Sequence, residues 1–246
     1  MVGIEISSMK TKLYIPRITI HPLIAIPDTL VLVRHAESIG NVMTIPEKVA
    51  HERANPAYHI TRRGVRQALQ RAAAMKSDFG KEYFDLCFYS SFRRTRETLG
   101  IIVEESGVGK KCTEDSRLDE KIDGIFQNLS PDELDLRYPD QVRMRERIGE
   151  YHNRAPGGEN CPDVELRIWS FLRDLSAHPA QKVLICCHGT WLLILRRLLE
   201  SWSVEEYLER KKTDQPANCC HYMYQKEKDG YSLRVAEDVD GYEVVN

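Results

Sequence analysis

Three short segments hold residue types able to work on an anionic group: Arg34-His35-Ala36-Glu37-Ser38, Ser90-Ser91-Phe92-Arg93-Arg94 and His188-Gly189-Thr190. Arginine grips phosphate oxygens through planar, paired donors, and a buried guanidinium with no anion to meet it is costly. Histidine beside such cations is disfavoured as imidazolium. A ring nitrogen then keeps its lone pair and can attack phosphorus. The combination points to phosphoryl chemistry that requires no metal ion.

Each segment follows an apolar run that reads as a strand: Thr29 to Val33, Phe84 to Tyr89 and Lys182 to Cys187. In open α/β sheets the functional crevice lies beyond the carboxyl ends of the strands, where these residues fall. Two of these ends run straight into helices, whose first N–H groups and positive dipole ends favour an anion. Ser90-Ser91 supplies a cap for a helix through Leu99, Ile102 and Val103, and another helix spans Thr190 to Leu199. Thr61 caps a helix whose Val65, Ala68, Leu69, Ala72 and Met75 recur at helical spacing up to Gly80. A further helix spans Pro162 to Ala177.

Residues 107 to 160 are polar and read as an excursion from the sheet, with one helix beginning near Pro131 after Ser130 and another around Arg143 to Tyr151. Asn218 to Lys226 and Tyr231 to Val235 flank Lys228-Asp229-Gly230 and predict a terminal hairpin. Residues 1 to 28 hold three prolines and no sustained period, so they read as an extended arm or extra edge segment. The expected fold is a three-layer α/β/α sandwich with a mostly parallel central sheet, an antiparallel edge and a small helical lid insertion. Residues 29 to 246 form the expected single domain, with the lid at about 125–155.

Composition narrows the function. The 35 Lys and Arg against 37 Asp and Glu give a net charge of -2, which supplies no bulk drive toward nucleic acid or anionic membrane. Apolar runs fall far short of the ~20 residues that span a bilayer. The odd number of cysteines, 7, lies mostly in apolar runs and suits buried thiols in a reducing compartment, so a cytoplasmic location is expected. Cys186-Cys187-His188 and Cys219-Cys220-His221 invite a zinc reading. Adjacent strand residues face opposite sides and neither run has Cys-x-x-Cys spacing, so structural thiols are expected and no metal or cofactor is assigned.

The bland alternatives carry weight. A lone histidine is usually structural, and His21, His51, His59, His152, His178 and His221 lack the neighbours that set His35 and His188 apart. Arg93, Arg94 and Arg96 cannot all point into one pocket, and Arg93 competes with Arg94. Glu120 stands among Asp115, Asp119 and Asp123 as one carboxylate of several. Asn41 suits either phosphate binding or an Asx-type turn. Arg62, Arg63 and Arg66 oppose the dipole at their helix start and serve either to attract anions or as surface charge.

Taken together, Arg34-His35-Ala36-Glu37-Ser38-Ile39-Gly40-Asn41 resembles the Arg-His-Gly-Glu-Ser-x-x-Asn signature of the histidine phosphatase superfamily, also called phosphoglycerate mutase-like, with Ala36 in place of the glycine. Leu118 to Gly124 resembles the family's Leu-x-Glu-x-x-x-Gly segment, and Pro156-Gly157-Gly158-Glu159 is similar to a turn of its phosphatase branch. His188-Gly189 matches the second histidine, and Pro216-Ala217-Asn218-Cys219 looks like related phosphatases. The resemblance runs from about Leu30 to Leu199. It implies that His35 is the nucleophile, that Arg34, Arg94, His188, Gly189 and Asn41 bind the phosphoryl group, and that Glu120 is the general acid and base. It also implies no cofactor and a small phosphorylated substrate.

On that resemblance the leading expectation is a phosphatase that hydrolyses phosphate monoesters through phosphohistidine. The rivals are a phosphoglycerate mutase-type transferase and an inactive binding or scaffold member. The resemblance implies that mutases carry a longer, basic insertion after the glutamate, whereas Ile125 to Ala155 here has five Arg and six Asp or Glu. The intact set of Arg34, His35, Arg94, Glu120 and His188 weighs against a scaffold. The leaving group would meet residues 42 to 59 and 125 to 155.

Overall fold

Backbone pairing explains why the apolar run at Leu30 to Val33 folds as a buried strand, Thr29–Arg34: it is hydrogen-bonded on both edges and covered on both faces. The computed structural model describes residues 13–21, 23–50 and 55–236. The strands are β1 (Leu13–Ile18), β2 (Thr29–Arg34), β3 (Leu86–Tyr89), β4 (Cys112–Glu114), β5 (Lys182–Cys187), β6 (His221–Glu227) and β7 (Gly230–Ala236). Ahead of β3 come the helices α1 (Ile39–Val42), α2 (Ile45–Ala50) and α3 (Arg62–Phe79). Between β3 and β5 lie α4 (Arg93–Ser106), α5 (Pro131–Arg137), α6 (Pro139–Ile148) and α7 (Cys161–Ser176). After β5 come α8 (Gly189–Glu200) and α9 (Val204–Thr213).

The seven-stranded sheet has the order β1-β7-β6-β2-β5-β3-β4. β2, β5, β3 and β4 run parallel, and β6, β7 and β1 add antiparallel pairing at the other edge. Successive strand residues point to opposite faces. Leu30, Leu32, Val183 and Ile185 pack with α7 and α8, while Val31, Val33, Leu184 and Cys186 pack with α3 and α4. The fold is a three-layer α/β/α sandwich. Among the described residues, no helix is long and apolar enough to cross a membrane.

Local chemistry sets the helix ends. Thr61 Oγ1 accepts from Gly64 N at 3.0 Å at the start of α3, and Ser130 and Glu133 close a reciprocal cap on α5. Several sequence expectations need correction. Ser90 and Ser91 do not cap α4. Phe92 is the N-cap residue, with no side-chain cap bond, because both serine hydroxyls are engaged elsewhere. The 107–160 stretch is not wholly outside the sheet, since Cys112–Glu114 returns as the edge strand β4. Its second helix ends at Ile148, and the expected Pro162 to Ala177 helix is Cys161–Ser176. In α3, Val65 and Leu69 are each 38% exposed, and Gln67 and Arg71 take buried positions instead.

Arg71 has a structural reason to be inside. Its Nε donates to the Cys219 carbonyl at 2.6 Å, one terminal nitrogen meets His221 Nδ1 at 2.9 Å, and the other donates to the Ala236 carbonyl at 3.1 Å. One side chain therefore ties α3 to β6, to the end of β7, and to the loop in which Cys219 adopts φ +57°. Cys219 N in turn donates to the Arg34 carbonyl at 3.1 Å. Replacing Arg71 with Met strands two buried carbonyls and a ring nitrogen, each worth about 1–3 kcal/mol. Chemical denaturation is expected to show a stability loss of at least ~3 kcal/mol; a loss below ~1 kcal/mol would mean that the clamp contributes little.

Candidate active site

The parallel neighbours β2, β5 and β3 end at the same edge of the sheet, which brings their following residues together. Arg34 pairs with Cys187 and Tyr89 with Cys186, and His35 N donates to the Cys187 carbonyl at 2.9 Å. The His35 and His188 rings consequently meet edge to face, with centroids 5.2 Å apart.

The tautomer of His35 follows from its partners. Nδ1 lies 2.7 Å from the Ala36 carbonyl, which can only accept, so Nδ1 carries the proton and Nε2 carries the lone pair. Arg94 Nε donates to that Nε2 at 3.1 Å. Burial, then Arg94 and Arg34, hold the His35 imidazole well below the usual histidine range. The Ala36 N–H donates to Thr98 Oγ1 at 3.0 Å, and Thr98 donates to the Arg94 carbonyl at 2.7 Å, locking the β2 exit to α4.

Arg94, not Arg93, faces the pocket. Arg93 turns away to pair with Glu97 at 2.6 Å. Arg94 is buried, which pushes its guanidinium down to about 10 despite nearby Glu120. One of its terminal nitrogens donates at 3.0 Å to both the carbonyl and the side-chain oxygen of Asn55. Arg34 lies across Gly189 and donates to the Pro216 carbonyl, while its Nε is buried with no hydrogen-bond partner. Among the described residues no carboxylate pairs directly with Arg34 or Arg94; Glu120 acts on Arg94 only from beyond ion-pair distance.

His188 begins α8 as its N-cap residue. Its Nε2 is 2.6 Å from Ser90 Oγ, and its Nδ1 is buried without a partner. Burial, followed by Arg94, His35, Arg34 and Arg167, keeps this imidazole well below the usual range as well. Ser90 also accepts from Phe92 N at 3.2 Å. Sequence reasoning took Ser90 for a helix cap and passed over Asn55 and Tyr58, which also line the cavity. Ser90 follows β3 directly, so the strand-end rule that singled out His188 applies to it equally.

Glu120 is separated from the other acidic residues by what anchors it. Its carboxylate accepts from Thr190 N and Trp191 N, both at 3.2 Å, at the positive end of α8. Asp119 instead binds Ser91 N and Oγ, both at 2.7 Å. The loop is held from the other side by the Pro156–Glu159 turn. Ile122 N donates to Glu159 Oε2 at 3.0 Å, and Arg167 Nε donates to Glu159 Oε1 at 2.9 Å. Gly124 has φ +57°, and a Cβ there would lie 2.3 Å from the Pro156 carbonyl oxygen, so the turn and the loop interlock only through glycine.

Asn41 lines the same cavity, but its Oδ1 accepts from Ser38 N at 2.9 Å and Ser38 Oγ at 3.0 Å, closing the turn at α1. Its amide NH2 has no hydrogen-bond partner among the described residues. The cavity measures about 410 Å³ and is walled by Arg34, His35, Arg94, Glu120 and Tyr58, with Phe126 and Leu129 on the lid side. Cys186 and Cys187 belong to opposite core faces. His221 is bound to Arg71, and His51 lies outside the described residues.

Residues 30–239 match the histidine phosphatase superfamily, branch 1. The chain belongs to this superfamily. It is 31% identical over 191 residues to a 2,3-bisphosphoglycerate-dependent phosphoglycerate mutase of Allorhizobium ampelinum, covering 73% of this chain and 83% of that one. It is 29% identical over 211 residues to a phosphoglycerate mutase of Schizosaccharomyces pombe, covering 84% and 93%. The α-ribazole phosphatase of Shigella flexneri shares the fold with a TM-score of 0.67 at 20% identity, covering 89% of this chain and all 100% of that chain. A mycobacterial glucosyl-3-phosphoglycerate phosphatase holding inorganic phosphate has a TM-score of 0.62 at 21% identity, covering 86% and 95%. The superfamily's relatives thus include both mutases and phosphatases, enzymes of phosphoryl transfer.

Two expectations follow from the buried polar groups. Burial foremost keeps His35, His188 and His221 well below the ordinary histidine value. The unfolded chain therefore takes up protons that the folded chain does not as pH falls below about 6.5. Stability should drop on that side by up to ~1.4 kcal/mol per pH unit for each histidine, and denaturation midpoints measured across this window check it. Ser90→Ala leaves Phe92 N–H and His188 Nε2 without their partner. It is expected to cost about 1–3 kcal/mol and to shift the His188 ring nitrogen resonances in 15N NMR spectra.

Proposed function

We propose that the protein is a phosphomonoesterase that works through a phosphohistidine on His35. The observation that carries this reading is the unprotonated Nε2 of His35, fixed by the 2.7 Å Nδ1–H bond to Ala36 and met at 3.1 Å by Arg94 Nε, an arginine that no carboxylate pairs with directly. His35 Nε2 attacks phosphorus as the bond to the leaving oxygen breaks, and Glu120 gives that oxygen its proton. Arg34, Arg94, His188 Nδ1, the Gly189 end of α8 and the Asn41 amide stabilise the equatorial oxygens. Glu120 then takes a proton from water, which attacks phosphorus. The N–P bond breaks, releasing phosphate and restoring His35.

The lid favours hydrolysis over transfer back to a substrate. α5 buries only Leu134, and α6 buries none of its residues. The 125–155 segment has five Arg against six Asp or Glu, so it offers little to hold a highly anionic substrate away from water. The named relatives support a second reading, a bisphosphoglycerate-primed mutase. Seven free cysteines, all but Cys112 buried, suit a reducing cytosol.

The test is phosphate release from aryl and alkyl monophosphates in the presence of chelator. His35→Ala is expected to lose on the order of 10³-fold or more in kcat. Glu120→Gln is expected to lose about 10²–10⁴-fold on the alkyl ester and less on the aryl ester, whose leaving group needs no proton. Acid quenching must be avoided when the phosphoenzyme is trapped. Full turnover in His35→Ala refutes the nucleophile, and priming by 2,3-bisphosphoglycerate with negligible phosphate release favours the mutase.

A further inference from the structure

A second cavity of about 310 Å³ lies under α5 and α6 and shares Asp123, Phe126 and Leu129 with the cavity that holds His35. Both volumes fall in the range of small-molecule sites. In-line displacement sets the leaving oxygen across phosphorus from His35 Nε2 and beside Glu120. One path from that position runs along the residues that follow Glu120, through Asp123, Phe126 and Leu129, into the second cavity.

The charges around this space are balanced in pairs. Lys121 pairs with Asp123, Lys211 with Glu150, and Arg145 with the same Glu150 at 3.4 Å. Glu159 is taken by Arg167 at 2.9 Å. Asn153 is the exception. It is only 7% exposed and lines the cavity, yet its side-chain amide has no hydrogen-bond partner among the described residues. The Asn153 amide is not among the fully buried polar atoms without a partner, so it stays open to the cavity it lines, where it offers two donors and a carbonyl acceptor.

A second phosphate or a carboxylate entering here would have to break an ion pair or face Asp123 and Glu150. Hydroxyl groups can accept from the cations, donate to the carboxylates and satisfy Asn153 while every pair stays intact. We infer that this cavity is the leaving-group subsite and that it takes an uncharged, hydroxyl-bearing alcohol, making the substrate class the monophosphate of a sugar or polyol. The inference rests on the phosphomonoesterase reading above and names the substrate of that same site.

The experiment compares kcat/KM for sorbitol 6-phosphate, glucose 6-phosphate, 3-phosphoglycerate and an aryl phosphate. The sugar and polyol esters are expected to exceed 3-phosphoglycerate at least ~10-fold. Asn153→Ala, and the isosteric Asn153→Asp as a second variant, should lower kcat/KM for sorbitol 6-phosphate about tenfold, chiefly through KM. They should also lower the ratio of that value to the aryl phosphate value. Equal or better use of 3-phosphoglycerate, or equal losses on both esters, overturns the inference. A binding arm separates the two readings, with sorbitol 6-phosphate titrated calorimetrically into His35→Ala and into His35→Ala with Asn153→Ala. If the wild-type protein releases phosphate from no ester, the phosphomonoesterase reading falls and this arm alone decides the subsite. About tenfold weaker binding in the double variant supports it, and equal binding overturns it.

Discussion

Nδ1–H of His35 bonded to the carbonyl of the next residue decides which nitrogen of the ring is basic, and much of the surrounding fold maintains that choice. The ring must be dry enough to stay neutral and close enough to arginine to meet an anion. Both conditions come from the sheet. Parallel pairing of β2 with β5 sets His35 beside His188, and the β3 exit adds Arg94 through the first turn of α4. Thr98, Asn218 and Cys219 then bond to the backbone from Arg34 to Ala36.

The carboxylate side is built by different means. Glu120 belongs to a loop, and loops seldom hold a side chain firmly by themselves. Here the loop is clamped between Ser91 on one side and the glycine-rich Pro156–Glu159 turn on the other. The amide end of the almost wholly buried α8 receives the carboxylate. Rigid sheet chemistry on one wall thus faces a thinly packed lid on the other, where α5 and α6 contribute a single buried side chain between them.

What could be read without coordinates depended on whether the signal was local. Apolar β-branched runs, the Thr61 cap and the Asp229-Gly230 turn announce themselves by pattern, and the strand-end rule gathers Arg34, His35, Arg94 and His188. β4 has three residues, none of them buried, so no apolar run marks it. Nothing local marks Arg71 for burial, because its partners lie in the distant loop at Cys219, in β6 and at the end of β7. Periodicity marked Val65 and Leu69 for the core, although the helix rotates Gln67 and Arg71 inward instead. Glu120 is distinguished by tertiary contacts alone; residue order singled it out only through the motif it shares with its superfamily. Ser90 was in the right place and was assigned the wrong task.

The outermost strand has a consequence for handling the chain. β1 lies beyond the stretch that matches the superfamily, yet it pairs along β7 with Leu13 opposite Val235 and Ile18 opposite Tyr231. The entry to the first described strand and the exit from the last are therefore neighbours, on the sheet margin remote from β3 and β4. Cutting the chain back to its superfamily match would remove β1 and leave the hydrogen-bonding edge of β7 open.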